Sequence, residues 1–196
     1  MLTLLSQNSS SLYLLALPVI IGQVLALLFV PSMLKQGAQV QSVGRAVYSY
    51  IGQSIGILLM AVSALPALYA VLARLAYPNS TFTALLFVFA FGGMTFLWHD
   101  YLSSTVDPAS RQVPFLIHFY TWKLMGLLLI LLSSLSLVLQ LVFVQGGLLD
   151  AASWELHTVL ILFGLALCWC TALPRNAFQR VSMDGQIRKK SAKKTR

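Results

Sequence analysis

The stretch LMGLLLILLSSLSLVLQLVFVQGGLL at residues 124–149 contains no charged side chain. A helix needs about 20 apolar residues to cross the hydrocarbon of a bilayer, so this stretch is long enough for one crossing. It is continuously apolar from Leu124 to Leu132, whereas a strand of a membrane β-barrel alternates apolar and polar residues. The stretch therefore predicts a transmembrane helix.

Similar uncharged stretches occur along the rest of the chain, which has 196 residues, of which 58% are hydrophobic and 9% charged. This composition excludes a soluble fold, in which about 25% of residues are charged, and an intrinsically disordered chain. We predict an all-α integral membrane protein in which residues 1–174 form a bundle of five transmembrane helices. The spans are expected near residues 12–33, 49–72, 82–98, 122–144 and 156–174. The first basic residue, Lys35, follows the first span, so we expect that helix to be retained rather than cleaved as a signal peptide.

The basic residues predict the orientation of the helices. With the N-terminus outside and the C-terminus in the cytoplasm, every Lys and Arg of the 13 in the chain except Arg74 lies on the cytoplasmic side. Membrane proteins show this excess of positive charge in their cytoplasmic loops. The segment 175–196 holds eight of these residues and is expected to be a disordered cytoplasmic tail that touches anionic lipid head groups.

The tail charge is not spread over a folded face, so we expect no nucleic-acid binding. The expected partners are the lipid bilayer and either another membrane protein or a second copy of the chain. The short loops favour the bacterial cytoplasmic membrane. The endoplasmic reticulum is the alternative, because Asn8 and Asn79 begin N-x-S/T acceptor patterns and Lys193-Lys194 resembles a dilysine retrieval signal.

Small and polar residues inside the spans predict where helices pack. Gly52 and Gly56 form a GxxxG pattern, which lets another helix approach closely, either within the chain or from another chain. Gln23, Gln53 and Ser54 lie at depth. We expect them to hydrogen-bond between helices, and the alternative is that they line a substrate path.

Aromatic residues mark the ends of the third and fourth spans. Trp98, Tyr101, Tyr120 and Trp122 lie near the predicted cytoplasmic ends of these spans. Trp and Tyr are enriched at membrane–water interfaces, where their rings are apolar and their polar atoms reach water. These residues therefore predict an aromatic belt.

The predicted loop 98–123 is the part of the chain with most candidates for chemistry. His99, Asp100 and His118 are weak catalytic candidates, because a carboxylate near an imidazole can orient it or raise its pKa. Asp107-Pro108 is a helix-start signal, with a capping residue followed by a first-turn proline. The spacing of the histidines and aspartates in this loop matches no metal-binding motif. We therefore expect no metal site and no cofactor. The alternative is a wet interfacial loop without chemistry.

These observations leave a choice among three functions. The absence of charged residues at depth, the short loops and the basic tail favour a non-catalytic subunit, scaffold or assembly factor of a membrane complex. A small transporter or channel for an uncharged or lipidic solute is the second hypothesis, with Gln23 and Gln53 lining its path. The third is an interfacial enzyme that uses the 98–123 loop.

Overall fold

The computed structural model of the chain describes residues 20–29, 39–145 and 154–171. Over these residues every regular element is an α-helix, which confirms the all-α part of the predicted fold class. The elements are α1 (residues 20–28), α2 (Val40–Leu72), α3 (Asn79–Ser104), α4 (Pro108–Gln145) and α5 (Trp154–Cys170). The acceptor Asn8, both ends of the first predicted span and the basic tail 175–196 lie outside the described residues.

Three of the described helices are long and apolar enough to cross a membrane. They are α2, α3 and the part of α4 from Pro108 to Val142. α5 is also apolar but has only 17 residues. A location in a membrane therefore follows from the length and composition of these helices.

α2 and α4 are longer than the apolar stretches that predict them. α2 begins at Val40 rather than near residue 49, and α4 begins at Pro108 rather than near residue 122. With 33 and 38 residues, they are about 50 Å and 57 Å long. The hydrocarbon of a bilayer is only about 30 Å thick. Both helices are therefore long enough to extend beyond the hydrocarbon by several turns.

The predicted loop 98–123 is instead helical except at residues 105–107. Asp107 caps α4, because the backbone N–H of Ser110 donates to its Oδ2 at 2.9 Å, as the Asp-Pro pair predicts. A charge pattern locates the apolar part of a helix. It does not show where the helix ends, because Arg, Lys and Gln are themselves good helix formers.

α2 lies at the centre of the described bundle and contacts α3, α4 and α5. α3 runs antiparallel to α2, since Gly56 lies beside Gly92 near the middle of both helices and Gly52 lies beside His99. α4 follows α2 in the same direction and α5 returns antiparallel to α4. The core among these three helices is built around Trp122, Met125, Leu129 and Leu160.

The described part of α1 packs against both α2 and α4. Leu27 is fully buried beside Val43 of α2, with Val113 and Ile117 of α4 packed around them. Four residues earlier, Gln23 reaches Ser54 of α2. α1 therefore runs antiparallel to α2 and closes the groove between α2 and α4.

The GxxxG pattern brings α2 and α3 into backbone contact. A Cβ added at Gly56 would lie 2.8 Å from the carbonyl oxygen of Gly92, and one added at Gly92 would lie 2.9 Å from that of Gly56. At Gly52 the ring of His99 occupies the space that a Cβ would need. The pattern alone does not identify its partner, and the structure places α3 of the same chain there.

A second glycine pair, which the sequence does not signal, joins α4 and α5. A Cβ at Gly126 would lie 2.9 Å from the carbonyl oxygen of Gly164, and one at Gly164 would lie 2.7 Å from that of Gly126. Each is a single glycine in an apolar stretch without a small partner four residues away. The α2–α3 pair and the α4–α5 pair therefore each close through a glycine–glycine contact.

Replacing Gly92 by alanine should lower the free energy of unfolding by about 1–3 kcal/mol, because the new Cβ overpacks a backbone contact. Gly93→Ala is the matched control, since a Cβ there meets only the Met60 sulfur, at 3.9 Å. Thermal unfolding of both variants in detergent measures the difference. Equal melting temperatures for the two variants would contradict the close approach of α2 and α3.

Candidate functional site

The Gln–Ser–His cluster, defined here as Gln23, Ser54, His118 and Trp122, is a buried polar site where α1, α2 and α4 meet. The Ser54 hydroxyl accepts from Gln23 Nε2 at 2.8 Å and from Trp122 Nε1 at 3.2 Å. It donates to the carbonyl oxygen of Tyr50, one turn earlier in α2, at 3.0 Å. One hydroxyl thus connects side chains from two other helices to α2.

These bonds determine the role of His118 in the cluster. Its Nδ1 lies 3.0 Å from Gln23 Nε2 and 3.1 Å from Ser54 Oγ. The Ser54 hydrogen is used by Tyr50, and the Gln23 amide nitrogen can only donate. With the Gln23 amide in this orientation, Nδ1 is the acceptor, and the tautomer assigned to His118 has its hydrogen on Nε2.

The oxygen of the Gln23 amide has fewer hydrogen bonds than its nitrogen. Gln23 Oε1 is buried and has no hydrogen-bond partner among the described residues. Exchanging the amide oxygen and nitrogen would move the unpaired position to the nitrogen, so one end lacks a described partner in either assignment. The hydrogen bonds that Gln23 contributes between α1 and the other helices are therefore those to Ser54 and His118.

A second polar group, consisting of Gln53, Asp100, Ser103 and Arg111, joins α2, α3 and α4. Gln53 Nε2 donates to Ser103 Oγ at 3.3 Å and to Asp100 Oδ1 at 3.5 Å. Arg111 donates to the carbonyl oxygen of Ser103 at 3.3 Å. The adjacent residues Gln53 and Ser54 therefore bond in different directions, one toward α3 and the other toward α1 and α4.

The two histidines proposed as catalytic lie on different sides of α2. His99 lies over Gly52 and contacts the Tyr48 ring, with 5.4 Å between ring centroids. His118 contacts Ser54 and, at 5.2 Å, the Tyr50 ring. Residues 48 and 52 share one face of a helix, and residues 50 and 54 share a face roughly opposite. α2 therefore separates His99 from His118.

The arrangement of Ser54 and His118 resembles a nucleophile–base pair in distance alone. Their 3.1 Å separation is within the range of such pairs. However, Ser54 is 4% and His118 8% exposed, and the hydroxyl hydrogen is already donated to Tyr50. The same atoms that would react are used to hold helices together.

Some residues of this site are singled out by the sequence, and others lie where the sequence does not predict them. Gln23, Gln53 and Ser54 each form hydrogen bonds between helices. His118 is buried rather than in a wet loop. Trp122 is 5% exposed and donates to Ser54 instead of joining the aromatic belt. His118 and Trp122 point inward because of the register of α4 against α2. Local sequence patterns do not predict this register.

A third polar contact joins α4 and α5 further along the bundle. His157 Nε2 lies 2.8 Å from Ser136 Oγ and 3.4 Å from Gln140 Nε2. Within the described residues, no group of three or more His, Cys, Asp or Glu side chains is placed to hold a metal ion. No known protein family, curated protein or solved structure matches the chain.

Ser54→Ala should lower the free energy of unfolding by about 1–3 kcal/mol, because it leaves donors of Gln23 and Trp122 buried without an acceptor. Ser63→Ala is the matched control. Ser63 is buried in the same helix, but its hydroxyl donates only to Leu59 and Met60 of α2. Chemical or thermal unfolding in detergent compares the two variants. A Ser63→Ala loss as large as that of Ser54→Ala would contradict a special role for the cluster.

Proposed function

We propose that the chain is a non-catalytic subunit, a scaffold or assembly factor, of a membrane complex. One observation carries the proposal. Among the described residues, the polar side chains proposed for catalysis or transport either bond to another helix, as His118 and Gln53 do, or pack against one, as His99 does at Gly52. Their arrangement serves to fix helices relative to one another.

The surface of α3 supports the same proposal. Among the described helices α3 packs mainly on α2, and only Gly92 and Ser103 of its 26 residues are buried. Phe87, Phe91 and Met94 lie at helical spacing on its outer side, with 71%, 65% and 71% of their surfaces exposed. We propose that a helix of another membrane protein, or of a second copy, covers part of this stripe.

The alternatives have less support in the described residues. A solute path lined by Gln23 and Gln53 would need both amides in one opening, whereas they bond toward different helices. An interfacial enzyme would need His99 and His118 together, whereas α2 lies between them. We also propose five membrane crossings with the C-terminus in the cytoplasm, on the basis of the charge pattern. The proposed location is the bacterial cytoplasmic membrane.

Isolation of the tagged chain from native membranes in a mild detergent tests the proposal. We expect a membrane partner, or a second copy, in a fixed ratio to the chain by quantitative mass spectrometry. Phe87→Ala combined with Phe91→Ala should reduce the partner yield about tenfold, because association between membrane helices depends on close packing.

Leu135→Ala combined with Leu139→Ala provides the matched control, since both leucines are exposed on α4. It should leave the yield unchanged. The proposed scaffold role would be contradicted if only a monomer without partners were isolated from cells in which the chain performs its function. Equal losses in both double variants would contradict the assignment of the contact to α3.

A further inference from the structure

A small open cavity lies where α2 begins and α3 passes into α4. Its volume is about 410 Å³, and it is lined by Gln39, Ser42, Arg45, Thr105, Val106 and Asp107. Cavities of about 300–1,000 Å³ are the usual size of small-ligand sites. Apart from Val106, every lining residue presents a charged or hydrogen-bonding side chain.

The frame of this cavity is held by specific contacts. The backbone N–H of Gln39 donates to Ser110 Oγ at 3.3 Å, which ties the start of α2 to the first turn of α4. The Asp107 carboxylate accepts from the backbone of Ser110 and from the side chain of Ser42. Below it, Val106 is buried against Ala46 and Tyr50. Asp107 and Ser42 are therefore held above an apolar floor.

Exposed aromatic residues give the level of the cavity relative to the bilayer. Tyr48, Trp98 and Tyr101 are 60%, 65% and 67% exposed and lie at the same end of α2 and α3 as the cavity. Such residues lie at the boundary between hydrocarbon and head groups. Arg45 is three residues, about 4.5 Å, beyond Tyr48 along α2. The cavity thus lies at the level of the lipid head groups.

The cavity is lined by one side chain of each charge sign. Arg45 provides a guanidinium, which binds phosphate oxygens in a forked geometry. The Ser110 backbone N–H holds the pKa of Asp107 below its usual value, so this carboxylate stays ionised. A simple anion would be attracted by Arg45 and repelled by Asp107. A ligand that carries a phosphate and an ammonium together satisfies both.

The geometry points to a binding site for a phosphoethanolamine lipid head group, with its phosphate on Arg45 and its ammonium on Asp107. The Gln39 side-chain amide can donate to the phosphate, whereas the Ser42 hydroxyl donates to Asp107 and the Thr105 hydroxyl to the Leu102 carbonyl oxygen. The lipid chains lie along the exposed surface of α2 and α3, past Tyr48 and Tyr101. This site is separate from the Gln–Ser–His cluster and does not depend on the proposed function.

Native mass spectrometry of the full chain, stripped of lipid and returned to mixed micelles, tests the site. The micelles contain phosphatidylethanolamine, phosphatidylglycerol or phosphatidylcholine at the same mole fraction. We expect phosphatidylethanolamine to be retained about tenfold more than phosphatidylglycerol, whose head group lacks the ammonium. Phosphatidylcholine, whose ammonium has no hydrogen to donate, should fall between the two.

Charge variants separate the two halves of the site. Arg45→Gln should reduce retention of phosphatidylethanolamine about tenfold, and Arg45→Lys should restore part of it. Asp107→Asn keeps a good helix cap but removes the carboxylate, so the preference over phosphatidylglycerol should disappear. Arg74→Gln, which removes an arginine at the opposite end of α2 and α3, is the control and should change nothing. Melting temperatures measured alongside identify any variant that has lost its fold.

Soluble competitors distinguish a lipid site from a free-anion site. Glycerophosphoethanolamine should displace the lipid at high concentration, whereas inorganic phosphate should not. Displacement by phosphate alone, or equal retention of phosphatidylglycerol by the unaltered chain, would overturn the assignment. Retention unchanged in both Arg45→Gln and Asp107→Asn would overturn it as well.

Discussion

The hydroxyl of Ser54 is the shared hydrogen-bond partner on which the packing of three helices depends. Inside a membrane, apolar side chains gain little by leaving lipid for protein, so helices associate through close packing and hydrogen bonds. Ser54 provides such bonds to Gln23 of α1 and Trp122 of α4. The glycine pairs provide the close packing, at Gly56–Gly92 and Gly126–Gly164. Glycines thus close the α2–α3 and α4–α5 pairs, and the polar cluster joins α1 to α2 and α4.

The charge pattern predicts the helical class and the apolar part of α2, α3 and α4 because both follow from local composition. It predicts Gln23, Gln53 and Ser54 as contacts between helices because polar atoms in lipid must find partners. Helix ends are harder to predict, since the first turns of α2 and α4 are polar and need no lipid. The single glycines Gly126 and Gly164 are not predicted at all, because their meaning depends on the register of two helices.

The proposed catalytic residues are close in the sequence but do not meet in one site of the structure. His99, Asp100 and His118 lie within 20 residues of one another, which favours one shared loop. Once this segment is two helices joined at residues 105–107, each side chain faces a different neighbour. His118 turns inward to Gln23, whereas Asp100 stays exposed and contacts Gln53. Arg45 and Asp107, at one end of the bundle, are exposed and line the cavity there.

A double-mutant cycle between Gln23 and His118 tests most directly whether the buried cluster fastens α1 to the bundle. Gln23→Leu, His118→Leu and the combined variant would be unfolded by titration from mild into denaturing detergent. Hydrogen bonds between membrane helices average about 0.6 kcal/mol, and two ends of one network do not add independently. The structure predicts a coupling free energy of about that size or larger. Strictly additive losses would contradict the direct contact between the two side chains.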